Sequence, residues 1–338
     1  MKAIQLIKHG DATDAFKMAE VDAPQIEVDE VLIKVEAFGL NYADVLARKG
    51  LYPDCPDLPA IIGYEVVGRV EDFGNEVDQF KKGDRVVAFT RFGAYAEFAK
   101  TDARAVQAIS EELSVGEAVA LATQYSTALF CAKSANLRER EKVLIHSAAG
   151  GVGTALCQYA NHLGCEIFGT AGSDEKLAYL REQGVDYPIN YRQKDFEAEI
   201  RETRENSRVD VIFDAVGGKT FSKGMKVLNY GGRAVLFGAS SRSKGGFFST
   251  LSLVLGFGFL TPIKLMMKSQ SIIGVNMLRI GDHKPELVQD IMREVWDLYE
   301  KGVFRPIVGG DYKVEEIITA HSFLESRKSK GKIVVRWT

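Results

Sequence analysis

At 338 residues the chain exceeds what one hydrophobic core usually supports, so two domains are expected. Hydrophobic residues at 46% and charged residues at 26% give the balance of an ordinary soluble globular protein. A net charge of -3, with basic runs only as local as Arg327–Lys332, excludes the concentrated basic face that a nucleic-acid backbone demands.

The opening MKAIQLIKHGDA becomes charged before a long apolar stretch can form, which argues against a secretory signal. Cys55, Cys131, Cys157 and Cys165 show no C-x-x-C pair. They read as reduced core thiols of a cytoplasmic protein, with no metal site. In chain order, Lys2–Ile7, Glu30–Ala37, Ile62–Phe73, Arg85–Phe89 and Tyr95–Lys100 are short runs rich in Val, Ile and aromatics, punctuated by turn signals. Helical periodicity takes over across Glu111–Lys133. From Lys142 strands and amphipathic helices alternate. Strand Lys142–His146 leads to helix Val152–Leu163, strand Cys165–Thr170 to helix Glu175–Gln183, and strand Val209–Asp214 to helix Lys219–Leu228. Strand Gly232–Phe237 follows. That alternation predicts βαβ units and a parallel sheet. Phe247–Met267 is apolar but holds glycines, Pro262 and Lys264, so it is expected to form a buried helix or an apolar wall beside a pocket rather than a membrane span. Strand Ser271–Met277, helix Pro285–Lys301 and strand Lys332–Trp337 close the chain. The expected division is a catalytic part, residues 1–124 completed by 266–338, and a nucleotide-binding part, residues 125–265.

Gly150-Gly151-Val152-Gly153 follows a predicted strand and opens a predicted helix. Small residues there let the backbone approach a pyrophosphate, and the helix N-terminus supplies N–H groups and a favourable dipole. The second strand ends Thr170-Ala171-Gly172-Ser173, without the acid that would accept from a free ribose 2′-hydroxyl. Ser173 and Lys176 suit a 2′-phosphate better, which makes NADPH the expected cofactor; Ser173 is equally a helix N-cap, and can be both. His146, ending a buried strand, reads as structural.

Asn41-Tyr42-Ala43-Asp44, Gly50-Leu51-Tyr52-Pro53, Gly63-Tyr64-Glu65-Val66-Val67-Gly68, Gly83-Asp84-Arg85-Val86 and the glycine run continue into Ile189-Asn190-Tyr191, Phe213–Gly218 and Gly331–Val335. End to end and in this order, the motifs resemble the medium-chain dehydrogenase/reductase superfamily, in particular its zeta-crystallin-like quinone oxidoreductases. The region of Pro262–Leu265 is also similar to the vesicle amine transport protein branch. The resemblance implies an α/β fold: a GroES-like β-barrel catalytic domain plus a Rossmann domain, with the active site in the cleft between them and a homodimer as the assembly. Zinc-dependent members carry Cys and His where this chain has Asn41 and Tyr64, so no catalytic zinc is expected. By resemblance Asn41 and Thr127 approach the nicotinamide and its ribose, and Gly150–Gly153 hold the pyrophosphate. Ser173, Lys176 and Tyr191 surround the 2′-phosphate, while Phe237, Gly238, Ala239 and Ser240 border the nicotinamide. Tyr191 can instead be a strand-end aromatic, Tyr64 a barrel-wall residue and Asn41 a loop-backbone partner.

The expected reaction is hydride transfer to a quinone or an α,β-unsaturated carbonyl, with Tyr52, then Tyr64, then the cofactor ribose hydroxyl or water, as proton donor to the developing oxyanion. The rival expectation is an NADPH-binding protein with a lipid- or membrane-surface role through residues 247–267.

Overall fold

The computed structural model describes residues 1–203, 207–241 and 247–337. The chain divides into two compact units. One comprises Met1–Ser126, Met277–Glu300 and Pro306–Thr338; the other comprises Thr127–Asn276 and Lys301–Arg305.

The first unit is built on a seven-stranded sheet in the order Val308–Lys313, Lys332–Arg336, Glu30–Leu40, Glu65–Phe73, Arg85–Phe89, Val106–Ala108, with Phe98–Asp102 also pairing to Glu30–Leu40. Its strands carry the Val- and Ile-rich alternation seen in the sequence, and the inward positions Ile33, Phe38, Leu40, Val66, Val86 and Val335 are buried. Burying each such side chain contributes roughly 1.5–3 kcal/mol. The C-terminal strand lies antiparallel to Glu30–Leu40, with Ile333 opposite Leu40. The last residues of the chain thus reach the start of the helix Tyr42–Arg48. The helical stretch expected over Glu111–Lys133 is interrupted. A π-turn at Leu121–Tyr125 joins Val115–Ala120 to Ser126–Ser134 and rotates Thr123 and Gln124 relative to a regular helix.

The second unit holds a six-stranded, wholly parallel sheet. Its order is Tyr187–Asn190, Glu166–Ala171, Lys142–Ile145, Val209–Asp214, Leu228–Leu236, Ser271–Gly274. In sequence terms this is third, second, first, fourth, fifth, sixth, the doubly wound arrangement whose order reverses beside the first strand. Leu144, Phe168 and Ile212 fill its core with helix residues Phe196, Ile200 and Phe221. The strand Ser271–Gly274, which the sequence reading assigned to the catalytic part, pairs with Leu228–Leu236 instead. The nucleotide-binding unit accordingly runs on to Asn276 rather than stopping at 265.

The apolar segment is not one buried helix. Gly258 takes a positive φ of 72° and Pro262 begins a new helix, so the segment folds as Phe247–Gly256 and Pro262–Lys268. Phe257 and Leu265 pack against the core, whereas Val254, Leu255, Phe259, Ile263, Met266 and Met267 are exposed. Side chains 247–250 lie outside the described residues. Among the described residues no helix is long and apolar enough to cross a membrane.

Candidate active site

In the second unit the first strand ends at Ile145, and the chain turns sharply through Ser147 (φ 55°) into the helix Gly151–His162, with Gly150 at its N-cap. The Gly150 N–H donates to the Ser147 carbonyl at 2.9 Å. A Cβ on Gly153 would lie 2.7 Å from Ala148 Cα and nearer still to the Ser147 oxygen. The helix therefore starts in close contact with the preceding turn, and only glycine allows it. This helix start stands where the strand order reverses, and its N–H groups beyond Gly150 fit a dinucleotide pyrophosphate.

The tip of the second strand carries the next group. Ser173 caps the helix Asp174–Glu182, its Oγ accepting from the Lys176 N–H at 3.4 Å. The cap leaves the Ser173 O–H as a donor, so both sequence readings of Ser173 are compatible. Tyr191 is 43% exposed and packs against Gly172, where a Cβ would meet its hydroxyl at 2.7 Å and Arg192 Nε at 3.4 Å. Arg192 is a cation the sequence reading passed over, although it directly follows Tyr191. Asp174 is held by the Asn190 amide at 2.9 Å. Phe237–Ser240 lie along the end of the fourth strand, Phe237 N–H bonding to Asp214 O and Ser240 N–H to Ala215 O, each at 3.1 Å. Thr127 is buried in the same unit. His146 is buried, bonds Thr170 Oγ1 at 3.1 Å through Nδ1, and is held neutral by burial against the opposing pull of Asp214.

In the first unit Asn41 caps the helix Tyr42–Arg48, its N–H donating to Asp44 Oδ2 at 2.7 Å. Its side-chain Nδ2 lies 2.9 and 2.8 Å from the two Glu65 oxygens, and its Oδ1 accepts from Lys332 Nζ at 3.0 Å. Lys332 and Glu65 form an ion pair with both side chains fully buried, and Thr123 Oγ1 donates to Glu65 Oε2. Burial holds the Asp44 carboxyl well above the usual carboxylate range, against the opposing Asn41 N–H. Glu65, Lys332, Thr123 and Asp44 were not singled out from sequence; the one available signal was that Asp44, Glu65 and Lys332 stand inside three of the quoted motifs.

Tyr52 is half-buried in the loop after this helix, and burial raises its hydroxyl above the ordinary tyrosine value, so it remains a donor at neutral pH. Tyr64 is only 3% exposed, with its ring against Tyr52 (centroids 6.1 Å) and Phe92 (5.2 Å). Burial drives its ionisation far upward, which suits a barrel-wall residue and equally a hydroxyl that stays protonated. The Asn41 amide is committed to Glu65 and Lys332, a lysine cation already faces the carboxylate, and among the described residues no three His, Cys, Asp or Glu gather around one point.

Residues 27–111 match the family model for the alcohol dehydrogenase GroES-like domain, and residues 151–298 that for zinc-binding dehydrogenase. The chain is 32% identical to a quinone oxidoreductase of Rattus norvegicus, over 99% of this chain and 97% of that one. It is 30% identical to a synaptic vesicle membrane protein VAT-1 homolog of Danio rerio, over 99% and 69%. The structure of an Escherichia coli quinone oxidoreductase complexed with NADPH superposes with a TM-score of 0.84 at 27% identity, covering 99% of this chain and 100% of that one. With its two-unit architecture and its ordered motifs, the chain belongs to the medium-chain dehydrogenase/reductase superfamily, among the zeta-crystallin-like quinone oxidoreductases.

Proposed function

We propose that this protein is a zinc-independent, NADPH-dependent oxidoreductase that reduces a quinone or an α,β-unsaturated carbonyl. The observation that carries the reading is the glycine cradle at the strand-order reversal, with Ser173, Lys176, Tyr191 and Arg192 at the tip of the neighbouring strand. Whole-length likeness to quinone oxidoreductases supports the same chemistry.

NADPH, when bound, supplies a hydride to the electron-poor carbon of the acceptor. The chain's own residues do the rest. Gly150–Gly153 hold the pyrophosphate, with the N–H groups after Gly150 directed at it, and Ser173, Lys176 and Tyr191 hold the 2′-phosphate, with Arg192 adding charge. Asn41 and Thr127 orient the nicotinamide end, bordered by Phe237–Ser240. Tyr52 donates its proton to the oxygen on which negative charge develops, completing addition of one hydride and one proton. A cytoplasmic homodimer belongs to the same reading and is tested by sedimentation. Activity is tested by following NADPH consumption with a panel of quinones and enones. Absence of turnover across the panel, with NADPH bound, would sink the reading.

One observation favours a second reading, a role at a lipid surface. Across the described side chains of 251–267 the exposed surface is largely apolar, with Leu255, Phe259 and Met267 exposed by 70%, 82% and 73%. Between Asp214 and Asp282 the sequence has no Asp or Glu but repeated Lys and Arg. That combination suits an anionic interface. Flotation with anionic vesicles, with and without NADPH, tests it; protein that stays at the bottom in both cases excludes it.

A further inference from the structure

Asn41 is held by charged groups that no ligand explains. A side-chain amide has a donor end and an acceptor end of nearly equal shape, so on its own it can sit in either of two orientations. Here the surroundings permit one. Nδ2 faces the Glu65 carboxylate, an acceptor only, and Oδ1 faces the Lys332 ammonium, a donor only. Turning the amide over would set oxygen against carboxylate and N–H against ammonium.

The four groups come from separate elements. Asn41 begins a helix, Glu65 and Lys332 each begin a strand, and Thr123 lies in the π-turn. Gly39, next to the strand end, makes the room: a Cβ there would overlap both Glu65 Oε1 and Lys332 Cε. Fully burying two opposite charges is costly and rarely adds net stability over neutral residues of similar shape. What the pair adds is orientation.

We infer that the buried Glu65–Lys332 pair is a positioning device that fixes the Asn41 side-chain amide in a single orientation, the one in which it would serve the nicotinamide contact proposed above. Glu65 and Lys332 act through Asn41 and touch no reacting atom. With one Nδ2 hydrogen shared between the two Glu65 oxygens, the other N–H and the second lone pair of Oδ1 remain for the ligand. The inference rests on the proposed reaction for its consequence, but the fixed orientation stands independently of it.

The test is the double variant Glu65→Gln/Lys332→Met. It removes both buried charges together, so no unpaired charge is left. A glutamine amide pairs equally well with either orientation of Asn41. The double variant is expected to melt close to the wild type and to bind NADPH within about 3-fold of it. Its kcat should fall roughly 10- to 100-fold, as a misplacement on the order of 1 Å would cause. The Asn41 side-chain NH₂ signals, identified by their loss in Asn41→Ser, should lose their distinct shifts and exchange protection. A double variant with wild-type kcat and unchanged Asn41 signals overturns the inference, leaving the pair a merely structural tie. If the wild type turns over no quinone or enone, the proposed reaction fails, and the NH₂ signals alone decide the orientation. Should the double variant not fold, Thr123→Val removes one donor to Glu65 without exposing a buried charge. The same NH₂ signals must then shift, and signals left in place count against the inference.

Discussion

Gly153→Ala tests how tightly the cofactor cradle is built. The added Cβ would sit 2.7 Å from Ala148 Cα and 2.8 Å from Ala148 C, about 0.7 Å short of an ordinary contact, with the Ser147 oxygen closer still. These are backbone atoms, so no side chain can swing aside. Either the turn or the first helical turn must move by something approaching 1 Å. Forced displacement of packed atoms costs about 1–3 kcal/mol, while replacing a helical glycine by alanine returns roughly 0.8–1 kcal/mol. The net is a loss of roughly 0–2 kcal/mol, or up to about 8 °C in Tm for a unit of this size. Binding suffers more, because the N–H groups that move are those aimed at the pyrophosphate. A 10- to 100-fold rise in the NADPH Kd is expected, about 1.4–2.8 kcal/mol. Gly150→Ala is the control: its nearest atom is the Ser147 oxygen at 3.2 Å, which a shift of a few tenths of an ångström relieves. Fluorescence titration and thermal melts measure both. The reasoning is refuted if Gly153→Ala binds and melts like the wild type, or if Gly150→Ala is the worse of the two.

Lys176→Ala should weaken NADPH binding about 10-fold and leave NADH binding unchanged, since a charge-assisted bond is worth roughly 1.5–3 kcal/mol; equal weakening of both would deny a 2′-phosphate contact. Tyr52→Phe should lower kcat about 100-fold with little change in NADPH affinity, and a kcat within 2-fold of wild type would move proton donation elsewhere. His321, fully buried with Tyr95 Oη at 3.0 Å from Nε2, is depressed to about 3 by burial and by Arg48. The unfolded chain takes up this proton below about pH 6.5 and the native state does not. Stability is therefore complete above that pH and falls as pH drops from about 6.5 toward 3, by at most about 1.4 kcal/mol per unit. His321→Gln should flatten this slope in denaturant melts, and an unchanged slope would assign the acid sensitivity to other groups.

Local rules reached far into the nucleotide-binding unit. Its strands and helices are short, regular and strongly periodic, and the glycine cradle needs only neighbours in sequence. They stopped where contacts are long-range. Nothing near Lys332 reveals that the final strand pairs beside Leu40 and delivers an ammonium to Asn41, more than 290 positions earlier. Residue type is visible in a sequence and burial is not, so nothing local marks Tyr64 as almost fully buried and Tyr52 as half-buried. Hydrophobic content does not say which face packs, so the sequence leaves the apolar segment as either a buried helix or an apolar wall beside a pocket. Gly258 and Pro262 split it into helices too short to bury both sides, and the outward face stayed exposed. Arg192 was missed for a different reason: its place beside Gly172 depends on how the third strand lies next to the second.

The most direct test of the central claim is a single comparison on protein freed of metal by chelation. It measures kcat/KM for reduction of one quinone with NADPH and with NADH. The structure predicts full activity without metal and a preference for NADPH of 10-fold or more, on the order of the 1.4 kcal/mol that one 2′-phosphate contact supplies. Activity that vanishes on chelation and returns with zinc, or a preference for NADH, would contradict it.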